Sequence, residues 1–197
     1  SGRLDMEKYV AVTGSEVSEP KYMKVKIGTQ LSSIVDGNVK GENARYISGN
    51  VLTGDNVGSD GFLGYYHHQV SVIPEGDRHK FFLTEGWLSL GFKRFSHSMA
   101  YPTQLNPPSK RWELDTNLNG EERAFVMSEQ YETVFPFDIY PVHLLKSIIT
   151  NDIDGMEKLG IYEVAPEDFA LCEFVCTSKI KVQQILREGL NLLESEG

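Results

Sequence analysis

The chain has 197 residues, 40% apolar and 24% charged, with a formal net charge of −9. That length buries a real core in one or two domains. The acidic balance argues against a nucleic-acid footprint, which needs a basic face, and against electrostatic docking on anionic lipid. No apolar run reaches the ~18–20 residues that span a bilayer. The nearest, His143 to Ile149, is interrupted by Lys146, so transport across a membrane would need other chains. Two cysteines suggest a reducing compartment. A start at Ser1-Gly2, with no Met and no secretory h-region, is expected of a processed chain or a piece of a longer one.

Residues 9 to 48 read as a compact α+β unit. Tyr9 to Thr13 is β-rich and stops at Gly14, and Tyr22 to Ile27 alternates apolar with charged residues, the period of a half-buried strand. After Gly28, Thr29 is placed to cap a short helix with Leu31, Ile34 and Val35 on one face and Gly37 past its end. Asn43 to Ser48 returns as a strand. Two strands, a helix and a returning strand predict a β-grasp-like unit over 1–48.

Residues 49–130 read as a β-rich hairpin segment packed on that unit. Tyr65 to Val72 alternates, with Tyr66, His68, Val70 and Val72 on one face. Phe81 to Tyr101 is aromatic without clean periodicity, and Pro107-Pro108-Ser109 is a loop. Asn119-Gly120 lies between Arg111–Leu118 and Arg123–Met127 and predicts a hairpin, because a type I′ turn needs φ > 0 at both central residues. Residues 131–197 read as a helical bundle. Pro141 opens a stripe of Val142, Leu145, Ile148 and Ile149; Asp154 caps a helix ending at Gly160; Pro166 sits at a first helical position with Glu167 and Asp168 behind it. Val182, Ile185, Leu186, Leu190 and Leu193 line a final helix.

The chemistry visible in the residues is thin. Cys172 and Cys176 are four apart and share a helix face, with Cα atoms near ~6 Å, at the long end for a disulfide. Two thiolates do not close a four-ligand zinc or iron–sulfur site, so they read as buried structural cysteines. His67 and His68, adjacent on a predicted strand, point to opposite faces, one packed and one exposed. Asp115 to Gly120 resembles the front of a calcium loop, but its twelfth position is Val126 where a bidentate Glu is required. Gly54, Gly58, Gly61 and Gly64 match neither dinucleotide nor phosphate-loop spacing, and no Gly-x-Ser-x-Gly elbow occurs. No catalytic and no metal residue is expected. Phe81, Trp87, Phe92 and Phe95 stand as candidates for a partner surface or a small apolar ligand, with ordinary core packing as the default.

Several longer runs carry a resemblance. Arg45-Tyr-Ile-Ser-Gly-Asn-Val-Leu-Thr-Gly54, Phe62-Leu-Gly-Tyr-Tyr-His-His-Gln-Val-Ser-Val72, Asp168-Phe-Ala-Leu-Cys-Glu-Phe-Val-Cys176 and Leu186-Arg-Glu188 together resemble the A subunit of the bacterial sodium-translocating NADH:quinone oxidoreductases. The resemblance runs nearly end to end over this chain and over the C-terminal part of that subunit. It implies a peripheral subunit on the cytoplasmic face of the bacterial inner membrane, in a complex whose substrates are NADH and ubiquinone and whose flavins and iron–sulfur centre sit on other subunits. It also implies a soluble-ligand-binding β-grasp domain followed by a helical domain. Relatives in complex I hold iron–sulfur clusters in that helical domain; by ligand count this chain binds no cofactor of its own. No individual quinone ligand carries over. Two roles stand open: a scaffold that docks other subunits, and a module that binds ubiquinone.

Overall fold

The computed structural model describes residues 2, 4–85, 88–92, 94–95, 102–107, 109–126 and 129–196. The chain forms two compact units, Ser1–Leu118 and Asn119–Gly197. The class is α+β, with a five-stranded sheet in the first unit and helices in the second.

Strands β1 (Glu7–Thr13), β2 (Lys21–Lys26), β3 (Ala44–Ser48), β4 (Asp55–Asn56) and β5 (Gln69–Pro74) pair in the order β2-β1-β5-β3-β4. β1 and β5 run parallel at the centre, Val12 opposite Val70, and the remaining pairs are antiparallel. The period-2 pattern explains the core. Val10 and Val12 of β1 and Val70 and Val72 of β5 are fully buried against Leu31, Ile34 and Val35 of helix α1 (Leu31–Val35). Each such side chain contributes roughly 1.5–3 kcal/mol by burial. Gly14 ends β1 at φ 119°, where a Cβ would collide with the Val72 carbonyl oxygen, so the close approach of β5 requires glycine there.

Three expectations change. Gln30, not Thr29, is the N-terminal flanking residue of α1; the Thr29 hydroxyl donates instead to the Lys26 carbonyl at 2.7 Å, closing the turn after β2. The strand expected from Tyr65 begins at Gln69, because Tyr65 and Tyr66 form a turn closed by the His67 N–H on the Gly64 carbonyl. The sheet therefore draws its central fifth strand from beyond residue 48. Lastly, no strand flanks Asn119-Gly120 among the described residues. Asn119 does take φ 50°. Its neighbours bond elsewhere, however: Asn117 Nδ2 reaches the Gly76 carbonyl, and the Arg123 N–H reaches the Ser178 carbonyl.

The second unit contains α2 (Pro141–Ile149), α3 (Ile153–Lys158), α4 (Ala170–Val175) and α5 (Val182–Glu196), with 3-10 turns at Ile161–Glu163 and Pro166–Phe169. Tyr131, Leu144, Leu145, Met156, Ile161, Phe169 and Leu186 are fully buried in its core. Leu144 is buried where Ile149 was expected, and Ile149 is exposed at the end of α2. Asp152 rather than Asp154 caps α3, accepting the Gly155 N–H at 3.0 Å; Asp154 lies in the first turn, where its charge still suits the helix dipole. Gly160 follows at φ 85° and stops the helix.

Candidate functional site

The aromatic segment is built from tight turns rather than strands. The Thr84 and Glu85 N–H groups both reach the Phe81 carbonyl, Leu88 N–H reaches Phe82, and Arg94 N–H reaches Gly91. An Arg78–Glu85 ion pair at 2.6 Å ties the first turn. Such local bonding leaves side chains outside: Phe81, Phe82, Leu83, Leu88, Leu90, Phe92 and Phe95 are all exposed. The Phe81 and Phe82 rings sit 4.9 Å apart. Phe92 and Phe95 belong to a second grouping. Lys110 Nζ and Asn106 Nδ2 both donate to the Phe92 carbonyl, at 3.0 and 3.1 Å. Lys110 Nζ also stands 4.0 Å above the Trp112 ring, whose centroid is 6.0 Å from that of Phe95. Trp87 lies outside the described residues. Core packing, the default reading for these rings, does not hold for Phe81, Phe92 and Phe95, which are exposed.

A second constellation organises the runs Arg45–Gly54 and Phe62–Val72. Lys8 shares its strand face with Val10 and Val12, which is the wrong face for a charge. Its ammonium donates to the carbonyls of Gly64, Tyr65 and His67 at 3.1, 2.9 and 2.6 Å. Burial lowers its pKa. Ser48 Oγ accepts the Gly64 N–H at 2.9 Å and lies 2.8 Å from His67 Nδ1. His67 is half-buried and His68 exposed, the packed-and-exposed pair expected. Ser71 Oγ donates to the Gly49 carbonyl at 2.9 Å. These bonds hold two loops at one end of the sheet. On another edge, Arg45 forks onto Glu75 at 3.0 and 2.6 Å, and Thr116 donates to the same carboxylate. The Arg45 guanidinium, then Thr116, hold the Glu75 pKa below the usual carboxylate range. Asp115, read as the start of a calcium-like loop, is committed to Lys80 at 3.1 Å and to the Asn117 N–H. Sequence reasoning missed Lys8; its position in step with two valines was the available signal.

The cysteines are buried, and neither is in a disulfide. Tyr131 Oη donates to Cys176 Sγ at 2.9 Å. Burial, with Glu132 adding, pushes the Cys172 thiol up to about 12; burial and the Cys176 contact raise Tyr131 as well. A thiol raised that far is inert at neutral pH. A depression of about 60 Å³ opens beside them, lined by Phe125, Gln130, Tyr131, Cys176 and Thr177 among others. It falls well short of the ~300–1,000 Å³ of small-molecule pockets. Among the described residues no three His, Cys, Asp or Glu side chains converge as metal ligands.

Residues 9–59, within the sheet unit, match the family described as the NQRA C-terminal domain. The similarity extends further. Over its whole length the chain is 40% identical to the A subunit of the Na(+)-translocating NADH-quinone reductase of Hahella chejuensis (strain KCTC 2396), of which it covers 43%. The same subunit of Cellvibrio japonicus (strain Ueda107) is 39% identical, 43% of it covered, and that of Vibrio atlanticus (strain LGP32) 37% identical, 44% covered. The chain is thus related throughout to the A subunit of these reductases, and it spans less than half the length of the curated relatives it matches.

Proposed function

We propose that this chain is part of the A subunit of a sodium-translocating NADH–quinone reductase and works there as a docking element. The whole complex would carry the enzymatic activity, oxidising NADH and reducing ubiquinone. This part would contribute contact surface to the other subunits and no redox cofactor of its own. What carries the reading is identity over the full chain to the A subunit together with the exposed segment from Phe81 to Phe95. Apolar rings held outward by local turns are poised to be buried by a partner, since aromatic anchors dominate interface energetics. Burial of the Cys172 thiol and the Tyr131 hydroxyl donated to Cys176 support the reading of both cysteines as structural. No helix among the described residues is long and apolar enough to cross a membrane, which is consistent with a peripheral position, and we place it on the cytoplasmic face.

The sheet order, with β1 parallel to β5 at the centre and a helix between the second and third strands, supports a β-grasp assignment for this unit. The quinone-binding alternative rests on Phe92 and Phe95 near Trp112. Their exposure favours a partner surface over an enclosed ring pocket.

The test is made in the assembled reductase. Phe81→Ser, Phe82→Ser and Leu90→Ser together should lower recovery of the A subunit, when the complex is purified through one of its other chains, by about tenfold, the equivalent of losing roughly 1.4 kcal/mol of contact. Unchanged stoichiometry would overturn the docking role of this segment. If titration with a soluble ubiquinone analogue is instead weakened by Phe92→Ala and Phe95→Ala, the ligand-module reading replaces it.

A further inference from the structure

Charge is distributed unevenly between the two units. Residues 1–118 carry thirteen acidic and thirteen basic side chains, whereas residues 119–197 carry fifteen acidic and six basic, so the helical unit holds the whole net charge of −9. Among the described residues, the ion pairs Lys24–Glu7, Arg45–Glu75, Arg78–Glu85 and Lys80–Asp115 all lie in the first unit, and none lies in the second.

One face of the helical unit joins this uncompensated charge to exposed aromatic rings. Ile139 packs beside Gly160 and Glu163: a Cβ on Gly160 would meet Ile139 Cδ1 at 3.3 Å and Glu163 Cδ at 3.8 Å. That contact brings the Phe137–Tyr140 segment alongside the Gly160–Glu163 turn. Phe137, Tyr140 and Tyr162 are exposed there, and so are Asp138, Glu157 and Glu163. Phe137 is braced from below by Phe135, at 5.6 Å, which in turn lies 4.6 Å from buried Phe169. The Tyr140 ring stands edge-on to His143 at 5.9 Å. Tyr162 Oη donates to Glu157 at 2.9 Å, which fixes the ring upright and raises the tyrosine pKa. Lys158 is the basic residue on these elements.

We infer that this face binds a Lys/Arg-bearing segment of a partner protein, in addition to the docking role proposed above, on which it rests. A guanidinium is attracted both by an aromatic face and by a carboxylate. Here three exposed rings and three exposed carboxylates are carried by neighbouring segments of the helical unit. Charge selects the occupant: a second copy of this chain would bring the same acidic unit and be repelled, while a basic segment would relieve the excess.

The probe is a fluorescein-labelled eight-residue peptide of alternating arginine and leucine, with alternating glutamate and leucine as control, titrated by anisotropy into the whole chain. The arginine peptide should bind and the acidic one should not. Tyr140→Ala with Tyr162→Ala, and separately Asp138→Asn with Glu163→Gln, should each weaken binding about tenfold, the size of one desolvated cation–π contact. Glu194→Gln with Glu196→Gln, which removes equal charge at the end of α5, should leave it within about twofold. The altered side chains are exposed, and an unchanged thermal transition will confirm that the variants fold. Equal weakening by the α5 pair, or no binding of the arginine peptide, would overturn the assignment. No binding of the arginine peptide to the unaltered chain, with the reductase still assembling through Phe81 and Phe82, would sink this face alone and leave the docking reading intact.

Discussion

In the sheet unit a lysine on the core face satisfies three carbonyls, an arginine forks onto Glu75, and the charges balance at thirteen of each sign. In the helical unit a buried tyrosine hydroxyl donates to a cysteine sulfur, and acidic side chains exceed basic ones by nine. The first unit uses charge to fasten loops to itself. Among its described residues the second buries no charged side chain and displays its charge instead. A unit that closes its own electrostatics gains little from an added ion; one that leaves them open is stabilised further by whatever cation reaches it.

The largest expected effect breaks the sheet unit. Gly14→Ala would force a side chain at φ 119° into the backbone of Val72 and push β5 off β1. The cost should be about 3 kcal/mol or more, through strain and lost parallel pairing. Hydrogen exchange read by mass spectrometry should show faster exchange of peptides from Glu7–Thr13 and Gln69–Pro74. Protection unchanged in both strands would mean that the approach of β5 to Gly14 is looser than described.

The next effect belongs to the helical unit and is a matter of pH. Cys172 holds its proton up to about 12 when folded, whereas an unfolded thiol ionises near ~8.5. The folded pKa of this acid is raised, so the unfolded state binds fewer protons at alkaline pH and stability falls as pH rises. The loss begins at the unfolded pKa and continues to the folded one, at about 1.4 kcal/mol per pH unit for this thiol. Tyr131, raised in the same sense, steepens the upper part of that window. Alkylation of Cys172 by iodoacetamide at pH 9 should therefore track unfolding of the helical unit. Rapid labelling of folded protein would show that the thiol is not held by burial.

How much of this could be read beforehand depended on the range of the interactions. β2 and the last helix follow from periodicity, because burial on one face imposes it, and β1 from a β-rich run stopped by Gly14. The start of β5 did not, since Tyr65 and Tyr66 alternate like a strand while Lys8, 57 residues away from Tyr65, captures the turn carbonyl. The hairpin expected at Asn119-Gly120 does not form: Asn119 is left-handed but Gly120 is not, and a turn dipeptide says nothing of whether two strands pair across it. Phe81, Phe92 and Phe95 were visible as an aromatic run; that Phe92 and Phe95 gather around Lys110 and Trp112 was not. The acidic excess was in the composition throughout. Its confinement to one unit emerged only once Leu118–Asn119 was known to divide the chain.

The smallest effect sharpens the comparison most directly. Raising NaCl from low ionic strength to about 0.5 M shortens the Debye length to roughly 4 Å and screens exposed charges. In the helical unit this removes self-repulsion among the unmatched carboxylates, so its amide exchange should slow. In the sheet unit it weakens exposed pairs such as Lys24–Glu7, while Lys8, enclosed by carbonyls, is affected less. Exchange there should be unchanged or slightly faster. Opposite responses from the two halves of one chain, in one tube, exclude any general action of salt on solvent quality, since that would move both in the same direction. A common shift would mean that the surface carboxylates are too far apart to repel, and the acidic face would lose the electrostatic half of its recognition while keeping its exposed rings.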